Sequence, residues 1–149
     1  MSNPPYEYEK EHAYRYTFKS TGKQVIDKVV EFTPTAINRV YNLAFGDQLP
    51  NGEIDDKANS NNGNIIKIFA TVIGILQDFT WHNPSFKVMF LGSTALRTKL
   101  YKRILKVYYQ TFTTLYYITG LIEIDNEEVE VPFDPKNSEN YRVFFIKRI

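Results

Sequence analysis

The sequence predicts an α+β domain: a single mixed β-sheet of about six to seven strands, opened by an N-terminal antiparallel meander and joined by two main helices. Three observations carry this reading. Aromatic or β-branched residues alternate with polar ones over Tyr14–Lys19 and again over Glu127–Phe133, the period of a strand. Stretches 65–79 and 96–111 space their apolar residues by three and four, the period of a helix. Between these stretches lie Gly, Pro, Asn and Asp, which break both patterns. The expected order is β-β-β-α-β-α-β-β-β.

Residues 1–5 read as a loose tail before Tyr14, Tyr16 and Phe18, which alternate with Arg15, Thr17 and Lys19; Tyr6 and Tyr8 extend that pattern backward. After the turn at Ser20-Thr21-Gly22, Val25–Phe32 is rich enough in β-branched residues for a second strand, although Lys28 and Glu31 also suit a short helix. Thr33–Ala36 breaks the chain, and Arg39–Phe45 puts Tyr41, Leu43 and Phe45 on one face of a third strand. Residues 46–63 read as a long mobile loop, dense in Asn, Asp and Gly; the spacing of Asp47, Glu53, Asp55 and Asp56 matches no calcium loop. Asn62 or Asn64 then caps a helix whose buried face is Ile65, Ile68, Phe69, Val72, Leu76 and Phe79, ended by Pro84.

Phe86–Leu91 is a nearly continuous apolar run, the pattern of a strand covered on both faces. Gly92 turns the backbone and Ser93 or Thr94 caps the next helix. Leu96, Leu100, Ile104, Val107 and Thr111 form that helix's stripe, bordered by Tyr101 and Tyr108. At about 100° per residue, Lys99, Lys102, Arg103 and Lys106 gather on its outer side. Arg97 does not: it shares the apolar flank with Tyr101, Ile104 and Tyr108, in the first helical turn. A cation there opposes the helix dipole at a cost of about 0.3–1 kcal/mol, so a compensating negative group is expected. One reading supplies it internally, from a carboxylate or carbonyl, with Ser93 and Thr94 acting only as caps. The other supplies an external phosphate or carboxylate, held by Arg97 with the amides and hydroxyls of Ser93 and Thr94. The second reading makes Gly92, Ser93, Thr94, Arg97 and Tyr101 a candidate anion site. The spacing is not that of a P-loop.

The closing third returns to strands. Leu115–Ile124 pairs with Glu127–Phe133 across a turn at Asp125-Asn126, and Tyr141–Ile146 closes the sheet after a polar loop. The strands flanking the second helix are expected to run parallel, joined by a right-handed crossover. If the third strand is also parallel to the fourth, ligands would gather at their carboxyl ends, over Gly92-Ser93-Thr94. No repeat or linker divides residues 1–149, which read as one domain.

Composition narrows the functions. With 149 residues and 43% hydrophobic content the chain can bury a sizeable core, and its 11 Tyr and 11 Phe suit an aromatic sheet. A net charge of +1 gives no bulk attraction to nucleic acid or membrane, so contact with nucleic acid would have to come from the local run Lys99, Lys102, Arg103 and Lys106. The absence of cysteine excludes disulfides, thiolate catalysis and Cys-based zinc sites. Together with an N-terminus that lacks an apolar signal region, it points to a cytoplasmic protein. His82 precedes the central strand and Ser93 follows it, about 20 Å away, so they cannot act as base and nucleophile in one subunit. His82 suits a helix end and His12 the surface. No triad, carboxylate pair or metal motif is legible, which favours a binding protein without metal or cofactor over an enzyme.

The segment FLGSTALRTKLYKRIL resembles a motif of a family of small uncharacterised bacterial proteins classed as a domain of unknown function. In that motif a strand and Gly-Ser-Thr are followed by Arg, Leu and Tyr, here Arg97, Leu100 and Tyr101. The resemblance runs along most of the chain, including the Tyr-rich N-terminal strands and Phe133-Asp134-Pro135. It implies a bacterial cytoplasmic protein and carries no settled activity. Beside anion binding stand two other functions: a protein-partner or oligomerisation module using aromatics such as Tyr108, Tyr109, Tyr116 and Tyr117, and nucleic-acid contact through the basic helix.

Overall fold

The computed structural model describes residues 5–55, 65–91, 95–136 and 141–149, without the side chains of Leu96 and Arg97. In chain order these residues form β1 (Tyr8–His12), β2 (Arg15–Thr21), β3 (Val25–Pro34), β4 (Val40–Gln48), β5 (Ile54–Asp55), α1 (Ile65–His82), β6 (Lys87–Phe90), α2 (Ala95–Val107), α3 (Tyr109–Leu115), β7 (Tyr116–Ile124), β8 (Glu127–Pro132) and β9 (Val143–Arg148). The strands make one mixed sheet in the order β1-β2-β3-β4-β6-β9-β7-β8, with β5 paired to β4. The chain packs as two compact units, Met1–Thr33 with Ala44–Asn83 and Pro34–Leu43 with Pro84–Ile149.

The α+β class is as expected, but the described residues hold nine strands. Two local features raise the count. The N-terminal alternation is not one strand: the chain turns at Ala13-Tyr14, and β1 folds back on β2 with Tyr8 opposite Phe18. The acidic stretch after Gly46 also carries structure. Gly46–Gln48 finish β4, and β5 pairs back on it antiparallel, Asp47 opposite Asp55. Gly52 allows the intervening turn by taking φ 86°. Residues 56–63 of the expected loop and 1–4 of the expected tail lie outside the described residues.

In the first unit, Tyr16, Phe18, Val30 and Phe32 share one face of β2 and β3, as the register of Tyr16 with Val30 requires. Against this face α1 buries Ile68, Phe69, Val72, Ile75, Leu76 and Phe79. The Phe32 and Phe79 rings stack with centroids 3.8 Å apart. Burying a side chain of this size contributes about 1.5–3 kcal/mol, so this face dominates the unit's stability. Two polar bonds fix α1 on it. The Tyr16 hydroxyl donates to Asp78 Oδ2 at 2.7 Å, and the Tyr6 amide donates to Thr71 Oγ1 at 2.8 Å.

In the second unit β6 runs parallel to β4, which the sequence reading left as a condition. β9 is antiparallel to both β6 and β7. β6 and β7 are therefore parallel but not neighbours, and the closing strand sits between them. Val88, Phe90, Phe144, Ile146, Tyr116 and Ile118 line one face and are buried, together with Tyr101, Ile104 and Leu105 of α2 and Phe112 of α3. The expected burial of β6 on both faces is not found: only Val88 and Phe90 are buried, while Met89 is half-buried and Leu91 exposed. The reason is local, because α2 and α3 both pack on the face that carries Phe90 and Tyr116.

The long helix expected to run through Thr111 is two helices. Tyr108 leaves helical geometry at φ −105°, ψ 21°, ending α2 at Val107 and starting the short α3 that leads into β7. The β7–β8 hairpin turns as anticipated at Asp125 and Asn126, both at positive φ (52° and 65°), the conformation a two-residue hairpin turn requires. Among the described residues no helix is long and apolar enough to cross a membrane.

Candidate functional site

The expected anion site falls at the joint between β6 and α2. β6 ends at Phe90 beside its parallel neighbour β4, and α2 begins at Ala95. Gly92, Ser93 and Thr94, which form the joint, lie outside the described residues. Arg97 belongs to the first turn of α2, and that turn holds no acidic residue. Tyr101 is placed firmly: it is buried, and its ring centroid lies 5.7 Å from that of Phe90. A ligand at the joint would therefore meet a helix N-terminus anchored to β6 through this aromatic contact.

The basic run beyond the joint has a clear face. Lys99, Arg103 and Lys106 are exposed and Lys102 is half-buried, whereas Tyr101, Ile104 and Leu105 face the core. No Asp or Glu occurs between residues 79 and 122, so no acidic side chain within α2 neutralises the strip. Among the described residues, Lys99, Lys102 and Lys106 take part in no ion pair. Lys106 lies in the last turn, where a cation is favoured by the helix dipole. Lys99 is nearer the positive end of α2 and adds to its field, whereas Lys102 and Arg103 stand past the middle of the helix.

Several polar constellations are not apparent from the sequence alone. Lys28 is 5% exposed, and its ammonium donates to Asp47 Oδ1 over the Phe45 ring. Its sequence signal is a cation at the same strand parity as Val30 and Phe32. Lys87 is the second case. Its Nζ donates to both Glu130 oxygens, at 2.9 and 2.7 Å, and lies 4.8 Å from the Phe145 ring centroid. Thr119 Oγ1 donates to Glu130 Oε2 at 2.6 Å. These side chains lie on the sheet face away from α2 and α3 and help to leave Phe145 only 6% exposed.

Partial burial alone would raise the Glu130 pKa. The hydrogen bonds from Lys87 and Thr119, with the Lys87 charge, outweigh it and hold the carboxyl below its ordinary value. A depressed carboxylate stabilises the fold above its unfolded pKa and loses that contribution as pH falls through the folded one. Glu130→Gln is thus expected to be less stable than the parent at neutral pH. The gap should close as acid protonates Glu130 in the parent. Urea denaturation of both proteins at about pH 7 and about pH 3 measures it, and a gap unchanged by acid would contradict the assignment.

A third constellation joins Tyr16, Asp78, Lys10 and His82. Lys10 Nζ stands 3.7 Å from Asp78 Oδ2, and His82 Nδ1 is 3.8 Å from Asp78 Oδ1. Burial first, and the hydrogen bond to Asp78 second, raise the Tyr16 pKa well above the usual phenol value. Tyr16 therefore stays a donor, and its bond to Asp78, with Lys10 beside it, ties β1 and β2 to α1. His82, exposed at the end of α1, lies with Nδ1 2.8 Å from the Asp78 carbonyl oxygen. The first unit also has a cleft of about 680 Å³ lined by Glu7, Glu9, Thr17, Lys19, Asp27 and Gln48. Lys19 is paired with Asp27 at 2.8 Å, so the remaining charge is acidic and does not suit an anion. Among the described residues no group of three or more His, Asp or Glu could hold a metal ion.

Comparison with known proteins gives a single finding on family. A model described as "Family of unknown function (DUF6934)" matches residues 2–149. Among curated proteins and among solved structures, nothing matches the chain.

Proposed function

The chain belongs to the DUF6934 family of unknown function, and for it we propose the role of a small binding domain with a phosphate or carboxylate site at the β6–α2 joint. Gly92, Ser93 and Thr94 would offer backbone amides and hydroxyls to the anion, and Arg97 its guanidinium. Tyr101 would brace the first turns of α2 from the core side. The observation that supports this most is positional. The joint follows the carboxyl end of a strand with a parallel neighbour, and it opens a helix of 13 residues that contains no acid. Anions favour such a place, because unpaired amides and the helix dipole act together there.

Calorimetric titration with inorganic phosphate tests the reading. We expect saturable binding that Arg97→Gln weakens at least tenfold, equivalent to about 1.4 kcal/mol, with unchanged thermal stability. No heat of binding from phosphate, nucleotides or small carboxylic acids would end the proposal.

A second reading extends the same site along Lys99, Lys102, Arg103 and Lys106 to the phosphates of a nucleic acid. The exposure of this strip favours it. Binding of mixed DNA or RNA would then fall steeply with salt. No binding at low salt removes this extension and leaves the small-anion site untouched.

A further inference from the structure

The second unit leaves one sheet face without a helix among the described residues, and register fixes what it carries. Tyr117 stands opposite Lys147, Thr119 opposite Phe145, and Leu121 opposite Val143. Met89 stands opposite Phe145 on the far side of β9. Glu123 stands opposite Glu128 on β8. Side chains two residues apart share a face, so all these residues lie on the same side.

This face carries half-buried apolar side chains beside a neutral ion pair in its middle and opposite charges at its ends. Leu121, Met89 and Val143 are half-buried in the centre, around the shielded Phe145. Tyr117, 62% exposed, marks one end beside Lys147. Glu123 and Glu128 mark the other, six residues along β7, or about 20 Å away. Arg142 lies 3.1 Å from Glu128 and 3.9 Å from Glu123, leaving that end with one uncompensated negative charge. Lys87 and Glu130 neutralise each other between the ends.

We propose that this face is the self-association surface of the chain and that its occupant is a second copy. A two-fold axis lying in the plane of the face, perpendicular to the strands, brings two copies face to face and exchanges the ends. Lys147 of each copy then meets Glu123 and Glu128 of the other, and the half-buried Leu121, Met89 and Val143 of the two copies come together about the axis, beside the neutral Lys87–Glu130 pairs. A partner of single charge sign would gain at one end and lose at the other, whereas a second copy gains at both. The inference is independent of the anion site, since it uses the opposite face of the sheet from α2.

The area sets the strength. Strands β6, β9, β7 and β8, with 4, 6, 9 and 6 residues, are about 4.8 Å apart and about 13–30 Å long, and give a plane on the order of 400 Å². Stable complexes bury about 800 Å² per partner, so a micromolar, concentration-dependent dimer is expected.

Light scattering coupled to size exclusion, with sedimentation equilibrium between about 1 and 200 μM, tests it. The expected result is a monomer–dimer equilibrium. Tyr117→Glu should abolish the dimer without altering the circular dichroism spectrum. Lys147→Glu should weaken it at least tenfold, and Lys147→Glu with Glu123→Lys on the same chain should restore it. A monomer across the whole range overturns the proposal. So does a dimer that Tyr117→Glu and Lys147→Glu leave intact, because it would use another surface.

Discussion

Replacing Lys28 with methionine is expected to destabilise the protein by about 3–5 kcal/mol, the usual consequence of stranding one charge of a buried pair. Lys28 stands opposite Phe18 on the face of β3 that meets the core. Its ammonium bonds Asp47, whose side chain is 18% exposed. With the cation gone, Asp47 must keep its charge without the ammonium that balances it, take up a proton or pull toward solvent and disturb β4. All three outcomes weaken the fold. The double variant Lys28→Met with Asp47→Leu removes both desolvation penalties and should recover most of the loss, because apolar replacements of buried pairs are often neutral or better. Urea denaturation gives each value. A loss below about 1 kcal/mol for the single variant would mean that the pair behaves as a surface contact.

Gly120→Ala carries the second large effect, and its cause is steric. A Cβ at position 120 would lie 2.3 Å from Tyr141 Cδ1 and 2.9 Å from Cε1. Flexible side chains can yield to such a clash, but Tyr141 is held. Its hydroxyl donates to the Pro132 carbonyl at 3.0 Å and accepts from the Asp134 amide at 2.9 Å. Its ring lies 5.2 Å from the Phe133 ring and 5.8 Å from the Phe144 ring, centroid to centroid. Relief therefore requires β7 or the 133–141 segment to move, and a loss of about 3 kcal/mol, the upper end for overpacking, is expected. Gly74→Ala is the matched control. Its Cβ would meet Tyr8 Cε1 at 3.8 Å, an ordinary contact. The helical position then favours alanine by up to about 1 kcal/mol. Melting curves should therefore move in opposite directions for the two variants. A similar fall for both would show that the Tyr141 ring is not what excludes a side chain at 120.

The contrast between the two glycines shows where sequence reading reaches and where it stops. Periodicity located α1 because its apolar stripe is long, and it located β7 and β8 because the Asp125-Asn126 turn separates two clear runs. It merged β1 with β2 because Tyr6, Tyr8, Tyr14 and Tyr16 keep one parity across the turn at Ala13-Tyr14. It read β6 as covered on both faces because Val88, Met89, Phe90 and Leu91 are all apolar. Coverage depends on which side α2 and α3 take, and no residue of β6 encodes that. The central place of β9 was equally hidden, since strand order is set by pairings between distant segments. For the site, the sequence showed the Gly-Ser-Thr joint and the unusual Arg97. It did not show that Tyr101 packs on Phe90. Nor did it show that Lys87 reaches Glu130, 43 residues away in sequence. Ion pairs of this kind join positions that no local pattern connects.

Amide chemical-shift mapping during a phosphate titration of the ¹⁵N-labelled protein tests the central claim most directly. The site proposed here predicts that the largest shifts fall on the amides of Gly92, Ser93, Thr94 and the first turn of α2, saturating together and vanishing in Arg97→Gln. Shifts that are absent there, or that cluster on another part of the chain, would contradict it.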